Sequence, residues 1–263
     1  MKHIILCADD FGLNKGVCQG ILRLVHHQRL SAVSCMVNGS DFNVYGIELS
    51  ALNNQIKSGL HFNLTEGYFL SEPNQPCFSL KELLVKTHLS LIKRSFIASE
   101  FNAQLDHYIK VMGKLPDFID GHQHVHQFPK IRQVILDLYR KRLQENGTLI
   151  RGTYPAITLP EYRMKASLLS RLGGKALAKQ LKKLNIPHNS CFAGVYDFSP
   201  KADYRALFRH WLKKVPDQSL VMCHPGTGIE PDDSIGPSRV LEFNYFFSND
   251  FLTDCREYQV DLG

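Results

Sequence analysis

Short apolar runs alternate with amphipathic stretches along almost the whole chain, the pattern of a mostly parallel α/β protein. Ile4–Ala8 predicts a first strand. Val17, Ile21, Leu24, Val25 and Gln28 follow at helical spacing and give one stripe along a helix. Ala32–Val37 predicts a second strand and Ile56–Phe62 a third, the latter weakened by Ser58 and Gly59. Phe101, Leu105, Tyr108, Ile109 and Met112 form a helical stripe ahead of a strand at 117–121. Ile131, Val134, Ile135, Leu138 and Tyr139 repeat that stripe, with Pro129 suited to a first turn. Leu149–Arg151, Cys191–Val195 and Ser219–Cys223 predict later strands. Tyr204, Leu207, Phe208, Trp211 and Leu212 mark a helix between the last two.

About seven such strand-helix steps, with no linker or repeat, predict one α/β domain over residues 1–263 and favour a (β/α) barrel-like fold over an open sheet. Two segments break the rhythm. Residues 66–80, with Gly67, Pro73 and Pro76, predict an irregular loop. Residues 152–190 set Pro155, Pro160 and Pro187 around a Leu/Lys helix and are expected to cap the substrate. In a barrel, the loops after the strands' C-terminal ends build the active site.

Composition narrows the class. With 44% hydrophobic and 21% charged residues, the chain is neither a disordered nor a collagen-like protein. No apolar run reaches the ~18 residues needed to span a bilayer, and the apolar stretch at Ile4–Ala8 is too short for a secretory signal. The +6 formal charge is scattered, and Lys175, Lys179, Lys182 and Lys183 read as a solvated helix face. Seven cysteines, an odd number without a CxxC, suit free thiols in a reducing compartment, so a cytoplasmic location is expected.

Four polar clusters stand where apolar runs stop: Asp9-Asp10, His61, Asp120 with His122, His124 and His126, and His224. In an extended chain Asp9 and Asp10 point to opposite faces, so one can bind a metal while the other reaches a water or a histidine if the strand bends at Phe11-Gly12. Imidazole at His61 can bind a divalent ion through one nitrogen while a partner orients the other. His122, His124 and His126 share a face if extended, whereas a turn or helix pairs His122 with His126. Asp120 is a candidate acceptor for an imidazole or a carboxylate facing substrate. His224 precedes Pro225-Gly226, and its ordinary pKa suits proton transfer. Arg151 is a candidate partner for a carboxylate or an anionic intermediate. Gly173-Gly174-Lys175 lacks the phosphate-loop spacing and reads as a helix break. Water on a divalent ion, an aspartate base and a histidine acid make a coherent hydrolase.

ADDFG at 8–12, VNG at 37–39, GLHFNLTEG at 59–67, DGHQHVHQFP at 120–129 and HPG at 224–226 resemble the YdjC-like carbohydrate deacetylases, which include chitooligosaccharide deacetylases. The resemblance spans nearly the whole chain. It implies a barrel-like domain related to polysaccharide deacetylases and hydrolytic removal of acetyl groups from N-acetylated sugars. It further implies a divalent ion, Mg2+ or Zn2+, on Asp10, His61 and His122. By the same likeness Asp9 is the general base and His224 the acid or its support, with His124 and His126 near the substrate or behind the ligands. The expected partner is a small N-acetylated saccharide, with no nucleic acid or membrane, and the candidate assembly is a homodimer. Another metal-dependent amidase or phosphoesterase, or a non-catalytic sugar-binding protein, remains the alternative.

Overall fold

The computed structural model describes residues 1–262. Seven parallel strands run β1 (Lys2–Phe11), β2 (Ala32–Cys35), β3 (Lys57–Phe62), β4 (Phe118–Gly121), β5 (Leu149–Ile150), β6 (Phe192–Ala193) and β7 (Ser219–Cys223), with a short β8 (Val260–Asp261) beside the start of β1. Their spatial order, β5-β4-β3-β2-β1-β7-β6, curls into an open half-barrel. The described residues also form ten helices: α1 (Lys15–His26), α2 (Phe42–Ser50), α3 (Leu80–His88), α4 (Arg94–Met112), α5 (Ile131–Arg142), α6 (Arg163–Leu169), α7 (Lys175–Lys183), α8 (Tyr204–Lys214), α9 (Gly236–Phe247) and α10 (Asn249–Glu257). None is long and apolar enough to cross a membrane.

The named strands leave the ring open between β5 and β6, which hold two residues each, and only a single bridge, Ala156 with Phe192, spans that gap among the described residues. Asn189 stitches that seam. Its side chain accepts from Gly152 N (2.8 Å) and donates to Gly152 O (2.9 Å) and Cys191 O (2.8 Å), beside the backbone bonds from Phe192 N to Pro155 O (2.9 Å) and from Ile157 N to Phe192 O (2.8 Å).

Alternation along the strands sorts the side chains. Ile4, Leu6 and Ala8 of β1 join the large core between sheet and helices, whereas Cys7 joins a smaller cluster with Ala32, Phe118, Phe192, Leu220 and Met222 on the sheet's concave face. Continued by two residues, that inward set becomes Asp9, Ser34, Asp120 and His224. Gly59 and His61 keep the same phase on β3, and Gly59 has no side chain because a Cβ would lie 2.4 Å from the Phe118 ring. Parallel register then brings the inward polar positions level, His61 opposite Asp120. The strands' apolar phase therefore fixes where the polar cluster forms.

Residues 66–80 form the expected irregular loop, with one bridge between Tyr68 and Pro76. Buried Glu100 of α4 satisfies its amides, accepting from Leu70 N (3.0 Å) and Ser71 N (2.7 Å). In the 152–190 segment, Gly173 at φ +136 breaks the run between α6 and α7. A Cβ there would meet Gln127 O at 2.0 Å, so only glycine lets this segment lie against the histidine-rich turn.

Candidate active site

Alternation alone would send Asp10 to the helix side of the sheet. Instead its backbone takes φ +68, and the register between β1 and β2 shifts between Ala8 and Phe11. This bulge carries Asp10 into the concave site beside Asp9. Left-handed backbone at a non-glycine residue costs roughly 1 kcal/mol or more, a strain that recurs at functional positions.

Around Asp10 the ligand-type atoms converge. Oδ1 lies 2.9 Å from His122 Nδ1 and 3.3 Å from His61 Nε2, and Oδ2 accepts from Arg239 Nη2 at 2.8 Å. Arg239 on α9 is itself anchored by Asp233 at 2.6 Å. Behind His61, Nδ1 sits 2.6 Å from Asp120 Oδ1, and Ser34 Oγ donates to the same oxygen at 2.6 Å. That arrangement commits Nδ1 to Asp120 and leaves Nε2 facing Asp10. Asp120 thus takes the imidazole-orienting role rather than facing substrate.

A second carboxylate set, Cys7, Asp9 and Asp120, also converges. It already surrounds a cation. Arg151 holds Asp9 with two bonds of 2.6 and 2.7 Å, reaches Asp120 at 2.5 Å and Cys7 Sγ at 3.0 Å. Arg151 is therefore a partner of carboxylates, and the Asp10, His61 and His122 set is the one open to an ion. Its donors fit a divalent cation, with one carboxylate oxygen and two imidazole nitrogens on one wall. Electrostatics agree. Burial pushes His61 down, yet Asp120 and Asp10 reverse this and raise its imidazole to about 10. The carboxylates around His61 thus favour positive charge at this point of the site, which a divalent ion would supply.

Burial alone would raise Asp9, but the Arg151 guanidinium overrides it and holds the carboxyl at about 2. Burial holds His224 down to about 4 against the pull of Asp10 and Asp9, so the ring is uncharged near neutrality. Its Nδ1 has no partner, and the ring packs edge-on against Phe198 at 5.0 Å between centroids.

The histidine row is neither extended nor helical. Gln123 and His124 take φ +50 and +60, and the chain turns sharply between His122 and Val125. Each ring goes its own way: His122 to Asp10, His124 against Phe192, and His126 Nε2 to Arg151 O at 3.1 Å. The pairing of His122 with His126 expected of a turn does not occur.

Sequence reasoning missed three supports, Ser34, Arg239 and Glu242. Glu242 lies one turn after Arg239 on α9, fully buried, accepting from His224 N at 2.5 Å and Tyr196 Oη at 2.6 Å. Burial pushes its carboxyl up to about 7. A raised carboxyl pKa means the folded state holds the proton that the unfolded chain releases near 4.5, so stability falls as pH climbs from there through 7. The expected penalty is about 3 kcal/mol above pH 8. Glu242→Gln should remove that slope: unfolding temperatures of the two proteins should diverge by several degrees between pH 5 and 8. Parallel curves would show that Glu242 ionises freely in the fold.

The site opens into a cavity of about 860 Å3. Asp9, Asp10, His61, His122, His124 and His224 lie along it, and Lys165, Leu168, Leu169 and Leu172 of the 152–190 segment border it.

Comparison with known proteins adds the lineage. A chitooligosaccharide deacetylase of Yersinia enterocolitica is 33% identical over 138 residues, 51% of this chain and 54% of that protein. The chain thus spans about half the length of that relative. One from Escherichia fergusonii is 28% identical over 234 residues, 85% of this chain and 81% of its own length. Among solved structures, a suggested cellobiose-phosphate cleavage protein of Enterococcus faecalis V583 superposes with a TM-score of 0.75 at 18% identity, covering 100% of this chain and 97% of its own. A family 4 acetyl xylan esterase of Clostridium thermocellum, in complex with a cobalt ion, gives 0.52 at 10% identity, covering 100% and 87%. At such identities these two establish a shared fold. The YdjC-like protein family model matches residues 3–257, nearly the full length, and the chain belongs to that family.

Proposed function

We propose that this chain is a divalent-metal-dependent carbohydrate N-deacetylase acting on a small N-acetylated sugar. One observation carries the reading: Asp10, His61 and His122 converge on a cavity wall that also presents Asp9 and His224. A divalent ion held by that triad would polarise the acetyl carbonyl and make a water more acidic. Asp120 and Ser34 keep the His61 tautomer fixed, and Arg239 steadies Asp10 from the other side. Asp9, adjacent to a ligand but tied to Arg151, accepts the water's proton. His224 passes a proton to the departing amine, and Glu242 fixes the turn that carries it. The names of the curated relatives support the substrate class. In the same reading residues 152–190 cap the bound sugar within a single domain. The seven unpaired cysteines suit a cytoplasmic location.

The test is acetate release from N-acetylglucosamine and its β-1,4 disaccharide, before and after chelation and with Zn2+, Mg2+, Co2+ or Mn2+ added back. Chelation should reduce turnover by at least about 100-fold, and one ion or more should restore it. No acetate from any sugar in the metal-loaded protein would sink the reading.

A further inference from the structure

Arg151 Nη2 stands where three acceptors meet. It lies 2.7 Å from Asp9 Oδ1, 3.0 Å from Cys7 Sγ and 2.5 Å from Asp120 Oδ2. A guanidinium amino group carries two hydrogens, so one of the three acceptors goes without. The hydrogens go to Asp9 and Cys7, and the buried Asp120 Oδ2 receives none. Arg151 Nε is likewise buried with no acceptor. The guanidinium forks well onto Asp9 but fits the rest of its surroundings poorly. A thiol and two carboxylates around one point are instead a donor set for a divalent ion. The sulfur and one oxygen from each carboxylate all lie within 4.8 Å of one another.

Charge points the same way. With the thiol protonated, two carboxylates and one guanidinium leave a single negative charge. Suppose a divalent ion replaced the guanidinium, with the thiol's proton released to solvent as its sulfur bound the ion. Three anionic donors around two positive charges would again leave a single negative charge. The buried surroundings would meet the same net charge in either state.

Resting on the deacetylase reading for the ion on Asp10, His61 and His122, we propose that Cys7, Asp9 and Asp120 are a latent second site for a zinc-type ion, which Arg151 fills in the native chain. The arginine thereby holds the centre to one ion. It also leaves Asp9 uncoordinated, whereas an ion among the three donors would take that carboxylate as a ligand and remove the base. Emptying the position should turn a one-ion centre into a two-ion centre without adding any ligand.

Arg151→Ala and the native protein, each loaded with Zn2+ or Co2+ and then dialysed, test this by metal content. The native protein should hold one ion per chain and Arg151→Ala two. The second equivalent of Co2+ should bring a thiolate-to-cobalt charge-transfer band in the near-ultraviolet that the native protein lacks. Its binding should release about one proton, from Cys7. In Arg151→Ala/Cys7→Ser the band should vanish and affinity for the second ion should fall at least about 100-fold. Removing the guanidinium leaves two buried carboxylates unpaired, so Arg151→His carries the test should the alanine variant fail to fold. Its ring can hold a proton when the ion is absent and adds a fourth donor when the ion is present. A band that survives Cys7→Ser overturns the proposal. If the native protein holds one ion and neither variant gains a second, this inference fails and the deacetylase reading stands. If the native protein holds none while Arg151→Ala holds one with the thiolate band, the deacetylase reading fails and the second site stands.

Discussion

His122→Ala should lose bound divalent metal and acetate release together, whereas His126→Ala should keep stoichiometric metal. The two rings are four residues apart on one segment, yet only one faces the proposed ion site. His122 Nδ1 lies 2.9 Å from Asp10 Oδ1, while His126 Nε2 is engaged by the Arg151 carbonyl at 3.1 Å. With His122 removed, one carboxylate and one imidazole are left to hold the ion. Loss of an outer partner of a ligand costs about 10–100-fold in affinity, so loss of the ligand itself should exceed 100-fold. Asp10 would also lose a neighbour, but Arg239 keeps its carboxylate paired, and the fold should survive. Metal content after dialysis, read by mass spectrometry beside the acetate assay, decides the matter. A metal-replete His122→Ala, or a metal-free His126→Ala, would show that the ion sits elsewhere along the turn.

What the sequence revealed and what it hid follow from the same geometry. Apolar runs gave the strands because burial on both faces leaves a continuous hydrophobic signal, and the polar residues ending those runs marked the site. Asp9, His61, Asp120 and His224 were legible for that reason, since each simply continues the inward phase of its strand. Asp10 was legible only as a neighbour of Asp9. Its arrival in the site depends on a backbone at φ +68, which residue type tolerates but does not announce. The histidine row failed as a pattern because two consecutive left-handed residues destroy both the period of two and the helical period. Arg239 and Glu242 were missed because they sit three apart on a helix, where such a pair ordinarily faces solvent. Both are buried, and they meet strand ends that no local spacing connects to α9. Ser34 gave no signal, being a small residue inside an apolar strand. The half-barrel's seam likewise rests on Asn189 and a single bridge between Ala156 and Phe192, neither of which has a periodic signature.

Asp9→Asn and His224→Ala should both keep metal and each lose at least about 100-fold in turnover, but an easier leaving group should separate them. Amide hydrolysis moves a proton off the attacking water and a proton onto the departing nitrogen. Arg151 clamps both Asp9 oxygens, which keeps the carboxylate ionised and aimed but makes it a weak base. It therefore suits a water whose acidity an ion has raised. His224 starts uncharged, so the proton it hands to the amine must be one gained during the reaction, and the proton leaving the water is the available source. In the proposed mechanism Asp9 acts early in that relay and His224 late. An N-acetyl aryl amine, whose nitrogen leaves with less help, should then recover much of the rate in His224→Ala and little in Asp9→Asn. Asparagine preserves shape but removes a charge from beside Arg151, leaving that buried guanidinium with Asp120 alone, so its unfolding temperature should fall. That stability loss is separable from chemistry, because metal stoichiometry and substrate KM can be read on the folded fraction. Equal rescue of the two variants would place both groups in the same transfer, and metal loss in Asp9→Asn would make Asp9 a support of the ion site instead of its base.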